Sequence, residues 1–562
     1  MLVRVNPHVF NMLAPHISVP AILLFVLSDL RSTLKYQPHE LLFGTSGRRG
    51  RVVDLTQLEI YINVAGELAY LESLPVAEGG IRRGDEFFFA CDLRPGSPLL
   101  CHAVVRAVTD AGMVPVNLGP IPTPALTSYA VARRRGSIMV TGSHIPFDLN
   151  GYKLNTSAGE LMKTHEAPIG QRVLETRRHL YAQLPSDSAF DSEGMLRAQP
   201  ELPCIDDSAR QAYLARYRNF FSGSGLQGQQ ILVYQHSAVG RDLLVEILEA
   251  LGATVTACGR SETFVPIDTE AIDDAQLTTI QALADGAALP GLTAVVSTDG
   301  DSDRPLILGL ESGRVQFFPG DLVGIIVAQY LAADAVVVPI SCNDAIDRSS
   351  LAAALEPKTR IGSPYVIAGM AAARAKGRQA VCGFEANGGF LVGSDIARHG
   401  QTLSALPTRD AILPILATLF AAQEQNMSLP ALFAQLPPRF SRAALLRNFP
   451  RAAGQRLVQL LTAANAAEET RICRRLEDFF LPAAGFSAIS RIDYTDGVRV
   501  LFTNGEVAHF RPSGNADEFR IYAVADSQAR ANQIVAGGVR EPDGIIRALE
   551  RALIPPLIAP AL

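Results

Sequence analysis

The chain lacks several features that would have set its class at once. Its seven cysteines, Cys91, Cys101, Cys204, Cys258, Cys342, Cys382 and Cys473, are odd in number and nowhere form a CxxC pair. That argues against a disulfide framework and a zinc site, and predicts buried apolar thiols in a reducing compartment, the cytoplasm. A basic excess is also missing: 50 Lys and Arg stand against 56 Asp and Glu, for a net charge of −6. A general nucleic-acid partner is therefore not expected, although a few local arginines would suffice for an anionic small molecule. The run Ala21 to Leu27 is apolar, but far shorter than the about 20 residues that cross a bilayer, so no membrane partner is expected. Polar Ser28-Asp29-Leu30-Arg31 follows it where a secretory signal would carry small cleavage residues. Residues 1–37 read as an N-terminal extension: an extra helix, an unordered tail, or an early start with Met12 as the alternative.

What is present is an ordinary globular composition, 48% hydrophobic and 19% charged over 562 residues, long enough for about three to five domains. A pattern recurs. Phe87 to Ala90 reads as a buried strand, followed by the loop Asp92 to Ser97, a helix ending at Asp110-Ala111-Gly112, and a second strand, Val114 to Leu118. Ile231 to Tyr234 begins the same series, closed by the strand Thr254 to Ala257, and Ala335 to Ile340 begins a third. Short apolar strands alternating with amphipathic helices predict α/β layers. In each unit a later apolar strand runs into an unusual loop: TGSH after Val140, STDGDSD after Val296, and GFEANGG after Cys382. Ligands in open α/β sheets bind at the C-terminal strand ends, so the three loops are expected to converge on one cleft.

Pro437-Pro438 and Phe449-Pro450 mark a boundary before a final α+β segment, with strands at Gly497 to Phe502 and Glu518 to Tyr522 and a helix from Asp526 to Ala536. The polar stretch Pro168 to Pro203 reads as an insertion or linker. The resulting division is residues 1–37 as the extension, 38–205, 206–309 and 310–435 as three similar mixed α/β domains, and 436–562 as a C-terminal α+β domain.

The loop Asp299-Gly300-Asp301-Ser302-Asp303-Arg304 carries the strongest chemical signal. If extended, its alternate side chains point the same way, so three carboxylates surround one hard cation such as Mg²⁺. An EF-hand is excluded, because Arg304 and Leu310 stand where that loop needs Gly and Glu. A solvated acidic turn would explain the motif alone. Ser143, in Thr141-Gly142-Ser143-His144-Ile145-Pro146, can present its hydroxyl at a strand terminus, and a phosphoserine there would carry about −1.5 to −2 charge for a cation to neutralise. By itself it says little. Lys153 can return over the same site as acid, base or clamp. Gly44 to Gly50, with Arg48 and Arg49, and Arg511-Pro512-Ser513-Gly514-Asn515 with Arg520 offer amide and guanidinium donors for phosphate. Glu385 and Asn387 suit sugar hydroxyls, though such residues also favour turns.

These five loops, in this order, resemble the α-D-phosphohexomutase superfamily over residues 38–562. The resemblance implies three related α/β domains and a different fourth around a central cleft. It implies Ser143 as the phosphorylated serine, Asp299, Asp301 and Asp303 with Ser143 as ligands of one Mg²⁺, and Arg304 beside the metal. Arg49 and Lys153 would be acid/base and phosphate-orienting groups, with His144 next to the serine. Glu385 and Asn387 would bind the sugar, and Arg511, Ser513, Gly514, Asn515 and Arg520 the phosphate that is not transferred. The implied activity interconverts hexose 6-phosphate and hexose 1-phosphate through a hexose 1,6-bisphosphate, which can also act as activator, in a monomer or homodimer. Mannose phosphate is the first choice of substrate and glucose phosphate the second, ahead of glucosamine phosphate.

Some positions depart from the family pattern. Gly142 and Ile145 replace an alanine and an asparagine in the serine loop, Asn387 and Gly389 a serine and a histidine in the sugar loop, and Asn515-Ala516-Asp517 a Thr-Glu-Pro. Gly362 to Tyr365 lacks a basic residue that some relatives carry. They bear on sugar specificity more than on the chemistry. Two other classes fit part of the pattern: a metal-dependent phosphatase, with the site open to water, and a silent phosphosugar-binding protein, which would typically have lost the serine or an aspartate.

Overall fold

Phe87, Phe88, Phe89 and Ala90 are each at most 2% exposed, because their strand, Glu86–Cys91, lies inside its sheet and is covered on both faces. The computed structural model describes residues 29–221, 225–270, 272–480, 485–512 and 517–554. The apolar run at Ala21 to Leu27 lies outside them, as do Ser513, Gly514 and Asn515.

The first sheet runs Arg48–Arg51, Leu149–Thr156, Ser137–Val140, Glu86–Cys91, Val114–Pro120. Its last three strands are parallel and the first two antiparallel to their neighbours. The second sheet, Arg314–Phe317, Pro305–Glu311, Leu292–Thr298, Gln230–His236, Thr254–Arg260, repeats the last four strands of that order and their connections, but its antiparallel edge strand comes last in the chain where that of the first sheet comes first. The third runs Leu406–Asp410, Phe390–Val392, Val381–Phe384, Ala335–Val337, and parallel bridges from Val336 to Leu355 and Pro339 to Thr359 extend its outer edge. The helices Ser97–Asp110 and Arg241–Ala250 make the first crossovers of the first two units; the third has only the short turn Ile346–Arg348 there. Each motif loop therefore leaves the same strand of its sheet: after Val140, after Thr298 and after Phe384.

Three expectations need correction. The boundary at 309/310 falls inside the strand Pro305–Glu311, whose hairpin partner Arg314–Phe317 completes the second sheet. The third unit starts with the helix Gly320–Tyr330. The stretch from Pro168 is not a linker at its start: Glu166–Tyr181 is a helix that packs on the helix Gln57–Ser73 through buried Ile169 and Val173. Two apolar residues four apart put one face of an otherwise polar helix against the core. Lastly, the strand read as Ala335 to Ile340 is regular only through Val337.

One apolar cluster is shared by the first three units. The last segment has its own, built on an antiparallel sheet in the order Phe440–Arg447, Glu518–Ala525, Val507–Pro512, Val498–Phe502, Ile489–Asp493. No described helix is long and apolar enough to cross a membrane.

Candidate active site

Asp299, Asp301 and Asp303 are at most 1% exposed, and one oxygen from each lies within 4.8 Å of the others. They do not converge by simple alternation along an extended loop. The Asp299 carboxylate accepts the amides of Asp303 (3.1 Å) and Arg304 (3.2 Å), and Ser302 takes a left-handed φ of 57°, so the chain turns around Asp299. This local side-chain acceptor is what bends the loop.

The serine loop meets this turn. Ser143 Oγ donates to Asp299 Oδ2 at 2.8 Å, and Ser143 itself sits at φ 55°. Its amide donates to Thr141 Oγ1 (2.7 Å), while the Thr141 hydroxyl and the Gly142 amide donate to Asp92. Arg94 donates to the carbonyls of Ser143 (2.9 Å), Ile145 and Leu149, and lies 3.8 Å above the Phe264 ring of the second unit. A strained backbone at a serine, fixed by a buried pair and a stacked arginine, belongs to a place the fold over-determines.

Two cations neutralise the aspartates from above. Lys153 Nζ is 2.5 Å from Asp301 Oδ2 and 2.6 Å from Asp303 Oδ2. Lys153 reaches them from the strand Leu149–Thr156, in register opposite Met139. Arg409 grips Asp303 Oδ2 through Nε (3.1 Å) and Nη2 (2.9 Å), and Glu385 through Nη1 (3.2 Å). Thr123 Oγ1 also donates to Asp301 Oδ2. Burial works to raise all three carboxyls. Asp299, also repelled by Asp301 and Asp303, is held well above the usual range. In Asp301, Lys153 and the Thr123 hydroxyl overcome burial and hold it low; in Asp303, Arg409 leads the same effect.

Asp301 Oδ1 and Asp303 Oδ1 are buried without a hydrogen-bond partner. Oxygen-only donors with unpaired lone pairs fit a hard divalent cation, so Asp299, Asp301 and Asp303 form a group that could hold one.

Beside the loop of the aspartates lies a cleft lined by Ser143, His144, Arg49, Lys153, Arg304, Glu385, Asn387, Arg511 and Arg520. The structure thus brings every described member of the sequence-read set to one place. Arg304 Nε lies 3.7 Å from Asp303 Oδ1. Arg49 donates to the carbonyls of Arg48 and Tyr152, and burial brings its guanidinium down to about 10. Burial, then Arg304, keeps His144 below its ordinary range and hence neutral. Asn387 is half committed: its Oδ1 accepts the Gly389 amide at 2.9 Å, leaving Nδ2 for a ligand. The loop that carries Glu385 and Asn387 can lie close to the helix Gly320–Tyr330 because Gly388 (φ 87°) faces Gly320, where a Cβ would strike the loop backbone.

Sequence reasoning missed Asp92, Arg94, Thr123 and Arg409, and also Glu270, which lines the same cleft. Arg409 sits beside Asp410 at the end of the short strand Leu406–Asp410, and charges on a strand that joins a sheet need buried partners, which is a readable signal. Glu270 and Asp268 stand on an irregular segment with no pattern to mark them.

The chain matches the models of phosphoglucomutase/phosphomannomutase alpha/beta/alpha domain I at residues 40–179 and domain III at residues 319–440. It is 38% identical over 500 residues to a phosphomannomutase of Sinorhizobium fredii (strain NBRC 101917 / NGR234), covering 88% of this chain and 98% of that one. Among solved structures it superposes on a phosphoglucomutase/phosphomannomutase family protein from Burkholderia thailandensis with a TM-score of 0.64 at 18% identity, over 92% and 99% of the two chains. An Aspergillus fumigatus N-acetylphosphoglucosamine mutase in complex with GlcNAc-6P and magnesium superposes at 0.52 and 14% identity, over 93% and 98%.

Proposed function

This chain belongs to the phosphoglucomutase/phosphomannomutase family, whose members are phosphohexomutases, and from that premise we propose that it interconverts mannose 6-phosphate and mannose 1-phosphate by way of a phosphorylated Ser143. One observation carries the assignment of the serine: its Oγ lies 2.8 Å from Asp299 in a turn that gathers three buried carboxylates. The likeness to the Sinorhizobium fredii phosphomannomutase supports mannose over glucose.

The reaction moves one phosphoryl group twice. The bond from phosphorus to Ser143 Oγ breaks as a bond forms to the free 1- or 6-hydroxyl of the sugar phosphate, and the hydroxyl proton passes to a base in the cleft. Arg49 takes that role, since burial brings it closer to exchanging a proton than an ordinary arginine, while Lys153, ion-paired with Asp301 and Asp303, supplies a proton to the departing Ser143 oxygen. The resulting hexose 1,6-bisphosphate turns in the cleft and returns its other phosphoryl group to Ser143 by the reverse step. Arg511 and Arg520 receive the phosphate that is not in transfer; Ser513, Gly514 and Asn515, next in the chain, complete that reading from sequence alone. Glu385 and Asn387 face the sugar hydroxyls.

Asp299, Asp301, Asp303 and the Ser143 oxygen would hold one Mg²⁺, which when bound offsets charge on the phosphoryl oxygens. The complex of the Aspergillus fumigatus mutase with magnesium supports that choice. The rest falls to positioning: Arg94 and Asp92 fix the serine loop, and Lys153 and Arg409 pair with the carboxylates and hold them in place.

Intact-mass measurement tests the serine. A species about 80 Da heavier, one phosphoryl group, is expected in the parent, discharges onto mannose 1-phosphate, and is absent from Ser143→Ala; a heavy species persisting in that variant refutes the assignment. A coupled assay over mannose, glucose and glucosamine 1-phosphates ranks the sugars, and a clear glucosamine preference refutes mannose.

A further inference from the structure

Asp496, at the start of the turn before the strand Val498–Phe502, touches two elements at once. Its Oδ2 accepts the Ile361 amide of the third unit at 2.9 Å, and its Oδ1 lies 3.6 Å from Arg511 Nε in its own sheet. Beside it, Arg360 Nε donates to the Thr495 carbonyl at 3.2 Å, so two adjacent residues of the third unit dock on two adjacent residues of the last. The Asp496 backbone is fixed as well: the buried His509 ring donates from Nε2 to its carbonyl. Gly497 at φ 79° lets the turn lie on Arg511, since a Cβ there would meet the Phe510 carbonyl and, at 2.9 Å, Arg511 Cβ.

Arg511 Nε is buried and has no hydrogen-bond partner. The Asp496 carboxylate lies near this Nε, beyond hydrogen-bond distance, and Arg511 and Ile361 both line the cleft. We infer that Asp496 is a positioning residue, which aims Arg511 at the substrate phosphate and ties that aim to the docking of the C-terminal domain on the loop at Ile361. The inference rests on the reading of Arg511 as a ligand of the non-transferred phosphate. An arginine aimed before substrate arrives loses less freedom on binding, so the effect is expected in affinity rather than in the chemical step.

A double-mutant cycle on the full chain, with mannose 1-phosphate as probe, tests it. Asp496→Asn keeps the size and an oxygen for the Ile361 amide but removes the charge behind Arg511. It is expected to raise KM about tenfold with kcat within about threefold, and to add less than about twofold once Arg511 is already lysine. A general loss of folding lowers the active fraction, hence kcat, and leaves KM in place. If Arg511→Lys alone leaves KM unchanged, the phosphate reading of Arg511 is wrong. If Arg511→Lys raises KM but Asp496→Asn has no effect, or the same effect in both backgrounds, the positioning role of Asp496 is overturned while the phosphate reading stands.

Discussion

Ser143 Oγ and Asp299 Oδ2 lie 2.8 Å apart although 156 residues separate them in sequence. They meet because their loops leave the same strand position of two sheets that share a four-strand topology. A serine hydroxyl is thereby held on the rim of a buried triple carboxylate that Lys153 and Arg409 neutralise only in part, since Asp301 Oδ1 and Asp303 Oδ1 are left without a hydrogen-bond partner.

That arrangement predicts a metal-linked gain in stability. Saturating Mg²⁺ is expected to raise the melting temperature by several degrees, since a ligand at about 100 times its Kd adds about 2.7 kcal/mol to a folded state it alone binds. Asp301→Asn removes one ligand but keeps the volume, and Lys153 retains Asp303. Its turnover should fall at least about a thousandfold, with a stability change under about 2 kcal/mol. Thermal melts with and without Mg²⁺ check this; a variant that still gains stability from Mg²⁺ would count against the assignment of Asp301.

Lys153 stands 2.5 Å from Asp301 and 2.6 Å from Asp303, where it shares the carboxylates with any bound cation. Lys153→Met is therefore expected to lose about 10²–10⁴ in turnover and yet to bind Mg²⁺ about tenfold more tightly, a gain of about 1.4 kcal/mol. Calorimetric titration separates the two effects. Unchanged Mg²⁺ affinity would show that the ammonium and the metal do not compete.

Glu270 offers a pH test away from the aspartates. Burial, with Asp268 and Glu385 nearby and Arg520 and Arg304 opposing, pushes its carboxyl from 4.5 up to about 7. Between those values the folded protein holds a proton that the unfolded chain releases. Stability from this group therefore declines as pH rises through that window, and the full penalty is present above about pH 7. Glu270→Gln should raise stability by about 1–3 kcal/mol near pH 8 and make no difference at or below about pH 4.5. A benefit that is the same at both ends would assign the gain to packing.

Much of this was legible in the sequence because α/β units announce themselves. Phe87 to Ala90 and Ile231 to Tyr234 are buried runs of strand length, and each motif loop follows directly on such a run. The convergence of Ser143 with Asp299 followed from repetition alone. Partners set by tertiary approach were not legible. Nothing local ties Arg409 to Asp303, 106 residues away, or Arg94 to the ring of Phe264. The helix Glu166–Tyr181 was passed over for a similar reason: its apolar face is two residues wide, and only the neighbouring helix Gln57–Ser73 makes it decisive.

Arg409 supports the last prediction. It is 4% exposed and spans two loops, with Nε and Nη2 on Asp303 and Nη1 on Glu385. Arg409→Met would leave the buried Glu385 without this cation and Asp303 to Lys153, and removing one partner of a buried pair costs about 3–5 kcal/mol. The variant should melt lower and lose about a hundredfold in kcat/KM, because Glu385 is freed from its place over the cleft. Arg409→Lys keeps a charge but not the planar fork, so it can satisfy one carboxylate at a time. It should recover most of the melting temperature and only part of kcat/KM, and that split separates alignment of Glu385 from simple neutralisation of charge. Equal recovery of both would mean that Arg409 serves only as a counter-ion.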